Sequence, residues 1–413
     1  MLDTARIRSR FPALGATHGG RPIVYADAPG GTQVPDSVIE AVAGWYRDGI
    51  SNTHGAFPRS EATDRLIADA REAAADLLGT SAERIVFGQN ATSLLFHLAR
   101  AFARTIGPGD EVVVTSLDHD ANVRPWLVAA ADAGATARRV DVRDDDVTLD
   151  TDSLDAVLSD RTKLVAVTMA SNAVGTITPV REVIARAHAV GALVVVDAVH
   201  AAQHLPVEMD ASGADIAAVS AYKFFGPHVG MLAVRRELLE AWTPDRVRPA
   251  AERGPERWET GTQNHEGLAG TIAVIEYLAD LGRTDGDPSD GTRRAAVAAA
   301  YRAIAQHERA LAARFLEGVA RLPHIELVGI ADPGRVDERT PTFAIRCDGR
   351  EPLEVAKQLA DRGIWTWDGH YYAIELFERL GLLDTGGAVR IGFCHYHSLQ
   401  EVERVLAALG ELG

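Results

Sequence analysis

At 413 residues, with 42 Lys and Arg against 58 Asp and Glu, the chain carries a formal net charge of -16. That balance argues against a phosphate-backbone partner, and the length suffices for one large α/β domain plus a smaller one. Two cysteines, Cys347 and Cys394, cannot build a disulfide framework, and neither a CxxC motif nor a metal site is read. The opening MLDTARIRSRFPALG lacks an apolar signal core, and no apolar run reaches membrane-spanning length, so a cytoplasmic protein without membrane partners is expected.

In chain order, RPIVYADAPGGTQVP reads as a strand entering a Gly/Pro-rich turn at residues 28–33. Residues 36–48 have helical spacing with Asp36 as N-cap, and a loop carrying Asn52 and His54 follows. An amphipathic helix over 61–79 stops at Gly79. Then RIVFG, a turn at Gln89 to Thr92 and another helix form a strand–turn–helix, whose free N–H groups can cradle a phosphate.

Apolar β-branched runs continue at 111–116, 163–170, 192–197, 215–223 and 230–234, separated by helical segments such as 179–190. Such runs mark strands buried on both faces, hence a largely parallel α/β sheet. Ligands collect at the carboxyl ends of such strands. Thr92, His119, Asn172, Asp197 and Lys223 all fall at or just past those ends. After Val234 comes a long polar connection over 244–264, of a length associated with function or partner contact. Helices at 266–282, 293–321 and 400–410 and strands at 325–330, 341–347, 364–367 and 388–393 predict a small α+β domain. The expected division is 21–270 for the large domain, with 1–20 and 271–413 forming the small one.

Asp197 and Lys223 each end an apolar run, and this pair suits pyridoxal phosphate. The lysine forms a Schiff base, while the acid keeps the pyridine nitrogen protonated so that the ring accepts electrons. The motifs GQNATS, DHDANVRPW, SNAVGT, VVVDAVHAAQHLPV, SAYKFFGPHVG, WETGTQN and AVRIGFCHY, spread over most of the chain, resemble the class V aminotransferase group of fold-type I pyridoxal-phosphate enzymes, in its cysteine desulfurase-like branch. The resemblance implies a seven-stranded, mostly parallel sheet and a homodimer acting on an amino acid, with the active site at the subunit interface.

It also implies roles by position. Lys223 holds the cofactor and shuttles the Cα proton, Asp197 pairs with the ring nitrogen, and His119 stacks on the ring. Asn172 lies near the phenolic oxygen with His200, which stands where desulfurases commonly carry glutamine. Ala91, Thr92, Ser220 and Tyr222 hold the phosphate, and Thr262 reaches that of the neighbouring subunit. Arg390 clamps the substrate carboxylate. His54, His370, Tyr371 and Tyr372 are candidates for the substrate pocket. One stretch departs from the pattern: WDGHYYA, residues 367–373, stands where desulfurases carry a nucleophilic cysteine, and Tyr372 occupies the matching position. Without a thiolate there, persulfide chemistry has no nucleophile. The expected activity is therefore a lyase, a β-elimination releasing a sulfur-bearing group. Transamination, epimerisation or decarboxylation is the alternative, and an inactive cofactor-binding partner protein the remote one.

Overall fold

The computed structural model describes residues 2–413. In the N-terminal segment Ile7, Phe11 and Leu14 pack into the core beneath the large sheet. Val24 and Ala26 instead join the core of the small sheet. Helix α1 (Asp36–Arg47) begins one residue after Pro35, which takes the N-cap position expected of Asp36. Asp36 lies in the first turn, where its charge still favours the helix dipole. Helix α2 (Pro58–Leu78) starts at its proline, ahead of the expected residue 61, since a proline N–H is not needed in a first turn. It ends as expected at Gly79, with φ of 63°.

The large sheet follows from β1 (Ile85–Gly88), α3 (Ala91–Ala103), β2 (Glu111–Thr115) and α4 (Arg124–Ala133) to β3 (Thr136–Val140). It continues through β4 (Thr162–Thr168), α5 (Val180–Ala189), β5 (Leu193–Asp197), β6 (Ile216–Ser220) and β7 (Gly230–Val234). The seven strands lie in the order β1-β7-β6-β5-β4-β2-β3, and only β7 runs against its neighbours. The seven-stranded, mostly parallel architecture is thus present. Strand β3, TARRV, lies at the sheet edge with all but its last residue exposed, so it carries no apolar run by which the sequence reveals it. Lys223 lies outside β6, in a tight turn over Ala221–Lys223. In register, Thr168 faces Asp197 and Asp197 faces Ala218, which sets the carboxyl ends of β4, β5 and β6 side by side.

Two long helices, α6 (His265–Asp285) and α7 (Arg293–Val319), lead to β8 (Ile325–Val328), β9 (Thr342–Cys347), β10 (Trp367–Gly369) and β11 (Ala388–Gly392). These form an antiparallel sheet in the order β8-β9-β11-β10, closed by helix α8 (Leu399–Gly410). The strand expected over 364–367 starts only at Trp367. The main chain of residues 363–365 is paired instead with Val24, whose N–H donates to Gly363 O (2.8 Å) and whose carbonyl accepts from Trp365 N (2.9 Å).

Two glycines hold the layers at contact distance. A β-carbon on Gly392 would overlap the ring of Pro29, and one on Gly230 would overlap the backbone of Asn90. Asn90 caps α3, its side chain accepting from Ser93 N at 2.8 Å. Because backbone cannot yield as a flexible side chain does, Gly230→Ala is expected to cost about 1–3 kcal/mol by overpacking, read from the denaturant midpoint.

Candidate active site

The side chains that the large sheet contributes, Asp197, Ser220, Lys223 and His119, sit at or just past strand ends. Asp197 closes β5 fully buried, its Oδ1 accepting from Val199 N at 2.8 Å, and burial raises its pKa to about 6. Ser220 closes β6, its Oγ accepting from Ala91 N at 3.0 Å, which ties the α3 N-terminus to that strand. Lys223 donates from Nζ to the carbonyls of Pro29 and Gly30, the latter at 3.0 Å. Its Nζ also lies 4.9 Å from the centre of the Tyr222 ring, whose other neighbour is His228, stacked at 4.8 Å. Burial first and the Arg390 charge second lower the Lys223 pKa to about 7, against Asp27 and Asp197, which pull it upward. A lysine so placed is a nucleophile at neutral pH.

His119 follows β2. Its Nδ1 accepts from Ala121 N at 3.0 Å, so the ring hydrogen belongs on Nε2. Burial, then the charges of Lys223 and Arg390, depress its pKa to about 4. Its turn is braced from beneath by Asp118, which accepts from Thr115 Oγ1 and from Asn122 Nδ2 (2.7 Å). Asn122 Oδ1 in turn accepts from Trp126 Nε1 at 3.1 Å. Burial raises the Asp118 pKa to about 8, against the hydrogen bonds that favour its charged form.

Arg390 lies buried in the middle of β11. Its Nη2 donates to Asp27 Oδ1 (2.9 Å), its Nη1 to Asn172 O (3.1 Å), and its Nε has no partner. The guanidinium stands 4.6 Å from the centre of the Tyr371 ring. Tyr371 and Tyr372 both take positive φ, 52° and 60°, a strained region for non-glycine residues. The strain is held by Asn172 Nδ2 donating to Tyr371 O (2.9 Å), Asp120 N to Tyr372 O (2.7 Å), and the Tyr371 hydroxyl to Ala388 O. Tyr372 thereby stacks on the His119 ring, centroids 5.5 Å apart and planes at 26°. His370 sits beside it, its Nδ1 accepting from Tyr372 N at 3.2 Å.

Lys223, Asp197, Arg390, His119, His200 and Tyr222 therefore fall within one another's electrostatic reach. Three other expected residues are exposed in the single chain. His54 is exposed and pairs with Asp64 (3.1 Å), while Thr92 and Thr262 face solvent. Sequence reasoning missed Asp27 and the Pro29 and Gly30 carbonyls, although an acid ahead of a Pro-Gly-Gly turn was visible. It also missed Asp118, adjacent to His119 in the chain. Thr340 and Thr342, which bond to His200, left no signal, because they lie 140 and 142 residues from it in the chain. Both cysteines are buried, and burial pushes their thiols upward, Cys394 well above the ordinary value.

The family model described as aminotransferase class-V matches residues 24–405. An uncharacterized protein of Mycobacterium tuberculosis is 32% identical, aligning over 100% of this chain and 99% of its own. A cysteine desulfurase of Pectobacterium atrosepticum is 30% identical, over 98% and 96%. Among solved structures, the apo cysteine desulfurase of Thermococcus onnurineus shares a TM-score of 0.88 at 28% identity, covering 100% of this chain and 98% of that one. A cysteine desulfurase of Escherichia coli gives 0.84 at 26%, with the same coverage.

The shifted lysine gives a direct check. Borohydride trapping of an aldehyde on Lys223 is expected to rise with pH around a midpoint near 7. Arg390→Gln removes a positive neighbour and should move that midpoint up, whereas Asp27→Asn removes a negative one and should move it down.

Proposed function

The chain belongs to the class-V aminotransferase family and is a pyridoxal-phosphate enzyme; from that premise we propose that it is a lyase acting on an amino acid with a sulfur-bearing leaving group on Cβ. The donor set suits the cofactor: an amine free near neutrality, a buried acid, and the N-terminal end of α3. Two buried nitrogens without partners, His200 Nδ1 and Arg390 Nε, leave donor capacity over. When bound, the cofactor supplies an electron sink for the substrate's Cα.

Lys223 is the amine that holds the cofactor and takes the Cα proton. Asp197 serves the ring nitrogen, His119 the ring face, and Asn172 and His200 the phenolic oxygen. Ala91, Thr92, Ser220 and Tyr222 serve the phosphate, with Thr262 reaching across to a second copy. Arg390 exchanges Asp27 for the substrate carboxylate, and His370, Tyr371 and Tyr372 shape the mouth, together with His54 of the facing copy. A homodimer is part of this proposal, supported by the exposed apolar side chains of Ile39, Tyr46, Ile50 and Phe57 on α1 and the loop after it. So is a cytoplasmic location, in keeping with a chain in which no helix of the described residues is long and apolar enough to cross a membrane.

One observation carries the choice of reaction. The loop against His119 presents an aromatic ring, Tyr372, and both thiols of the chain are buried elsewhere. The leaving group must then depart without a protein nucleophile. Loss of the Cα proton, and of the Cβ substituent with its electron pair, leaves an unsaturated amino acid that water converts to pyruvate and ammonia. Pure protein loaded with cofactor is expected to release pyruvate from cysteine, a cysteine sulfoxide or cysteine sulfinate. If none yields pyruvate while a plain amino acid converts the cofactor to its pyridoxamine form, the enzyme is a transaminase instead.

A further inference from the structure

His200 and His204 lie on the turn that follows Asp197, and Glu308 approaches them from α7. All three are buried. His204 Nδ1 lies 2.8 Å from Glu308 Oε2, a hydrogen bond between two buried side chains. The other nitrogen of His204, Nε2, has no partner, and neither has Glu308 Oε1.

His200 Nε2 lies 3.2 Å from the Thr340 hydroxyl and 3.3 Å from that of Thr342. The Thr340 hydroxyl donates to Gly175 O (3.3 Å), whereas that of Thr342 has His200 alone within reach. Thr342 therefore donates to Nε2, and the ring hydrogen of His200 sits on Nδ1, also without a partner. Two nitrogens without partners thus stand on rings 4.9 Å apart, inclined at 67°. His200 is faced in addition by Arg390 and Lys223, His204 by His395, and Glu308 by the Cys394 thiol.

We propose that Glu308 and His204 are a buried positioning pair that sets the placement and the neutral state of His200, and through it the charge on the cofactor's phenolic oxygen. The helix α7 would then tune the cofactor from outside the set of residues that touch it. The proposal rests on the cofactor being held at Lys223 beside His200.

The test uses cofactor-loaded wild type, Glu308→Gln, His200→Gln and the double variant, and reads the pH at which the visible absorbance is half-changed. Removing a nearby negative charge disfavours a bound proton, so Glu308→Gln should lower that midpoint by about half a unit or more. In the His200→Gln background the same substitution should leave it in place. An unchanged midpoint, or an equal shift in both backgrounds, overturns the proposal, since a merely structural role lowers the melting temperature without this dependence on His200. If Glu308→Gln fails to fold, His204→Asn is judged by the same criterion. A wild type that binds cofactor without any lysine-linked absorbance refutes the Lys223 assignment as well, which separates the two failures.

Discussion

The site depends on the desolvation of one amine. Removed from water among Arg390, Asp27 and Asp197, Lys223 gives up its proton near neutrality. The opposing charges prevent a larger shift, because the two carboxylates favour the ammonium while the guanidinium disfavours it. Everything nearby serves that balance. The small sheet delivers Arg390, the N-terminal turn delivers Asp27 and two carbonyls, and the large sheet delivers Asp197.

These three contributions come from distant parts of the chain and meet only because backbones touch closely. Gly392 admits Pro29 against β11, and Gly230 admits the turn that starts α3. The strained Tyr371–Tyr372 pair is a third such junction, held by hydrogen bonds from Asn172 and Asp120 to its carbonyls. Strain of this kind persists where the surroundings over-determine it, and here it lays an aromatic ring on His119. Asp118 secures the turn that carries the same histidine from the other direction.

The polar residues behind the site follow one rule. A buried charge or donor is tolerated when a partner holds it. Arg339, wholly buried, donates to the carbonyls of Val174, Ile330 and Thr342, and so braces the start of β9, where Thr342 lies beside His200. Of the buried atoms without a partner, His200 Nδ1, His204 Nε2 and Arg390 Nε lie at or next to the site, while others, such as His97 Nε2 and Arg84 Nε, lie elsewhere in the fold.

The sequence by itself determined the central strands and two of the chemically decisive residues. Continuous runs such as LVVVD and IAAVS are buried on both faces, so composition alone marks them, and Asp197 falls at the end of the first with Lys223 just past the second. The ordered motifs carried the family and the cofactor with it. Edge strand β3 escaped because exposed residues carry no burial signal, and residues 364–366 misled because their partner is Val24, far away in the chain. Tertiary structure alone decided that Asp27 pairs with Arg390, that Asn172 holds the Tyr371 carbonyl, and that His200 leans on Thr340 and Thr342. It also placed Tyr372 against His119, where the sequence showed only that no cysteine stood. Periodicity records which face a residue buries; which distant group it then meets is settled only when the two sheets close on each other.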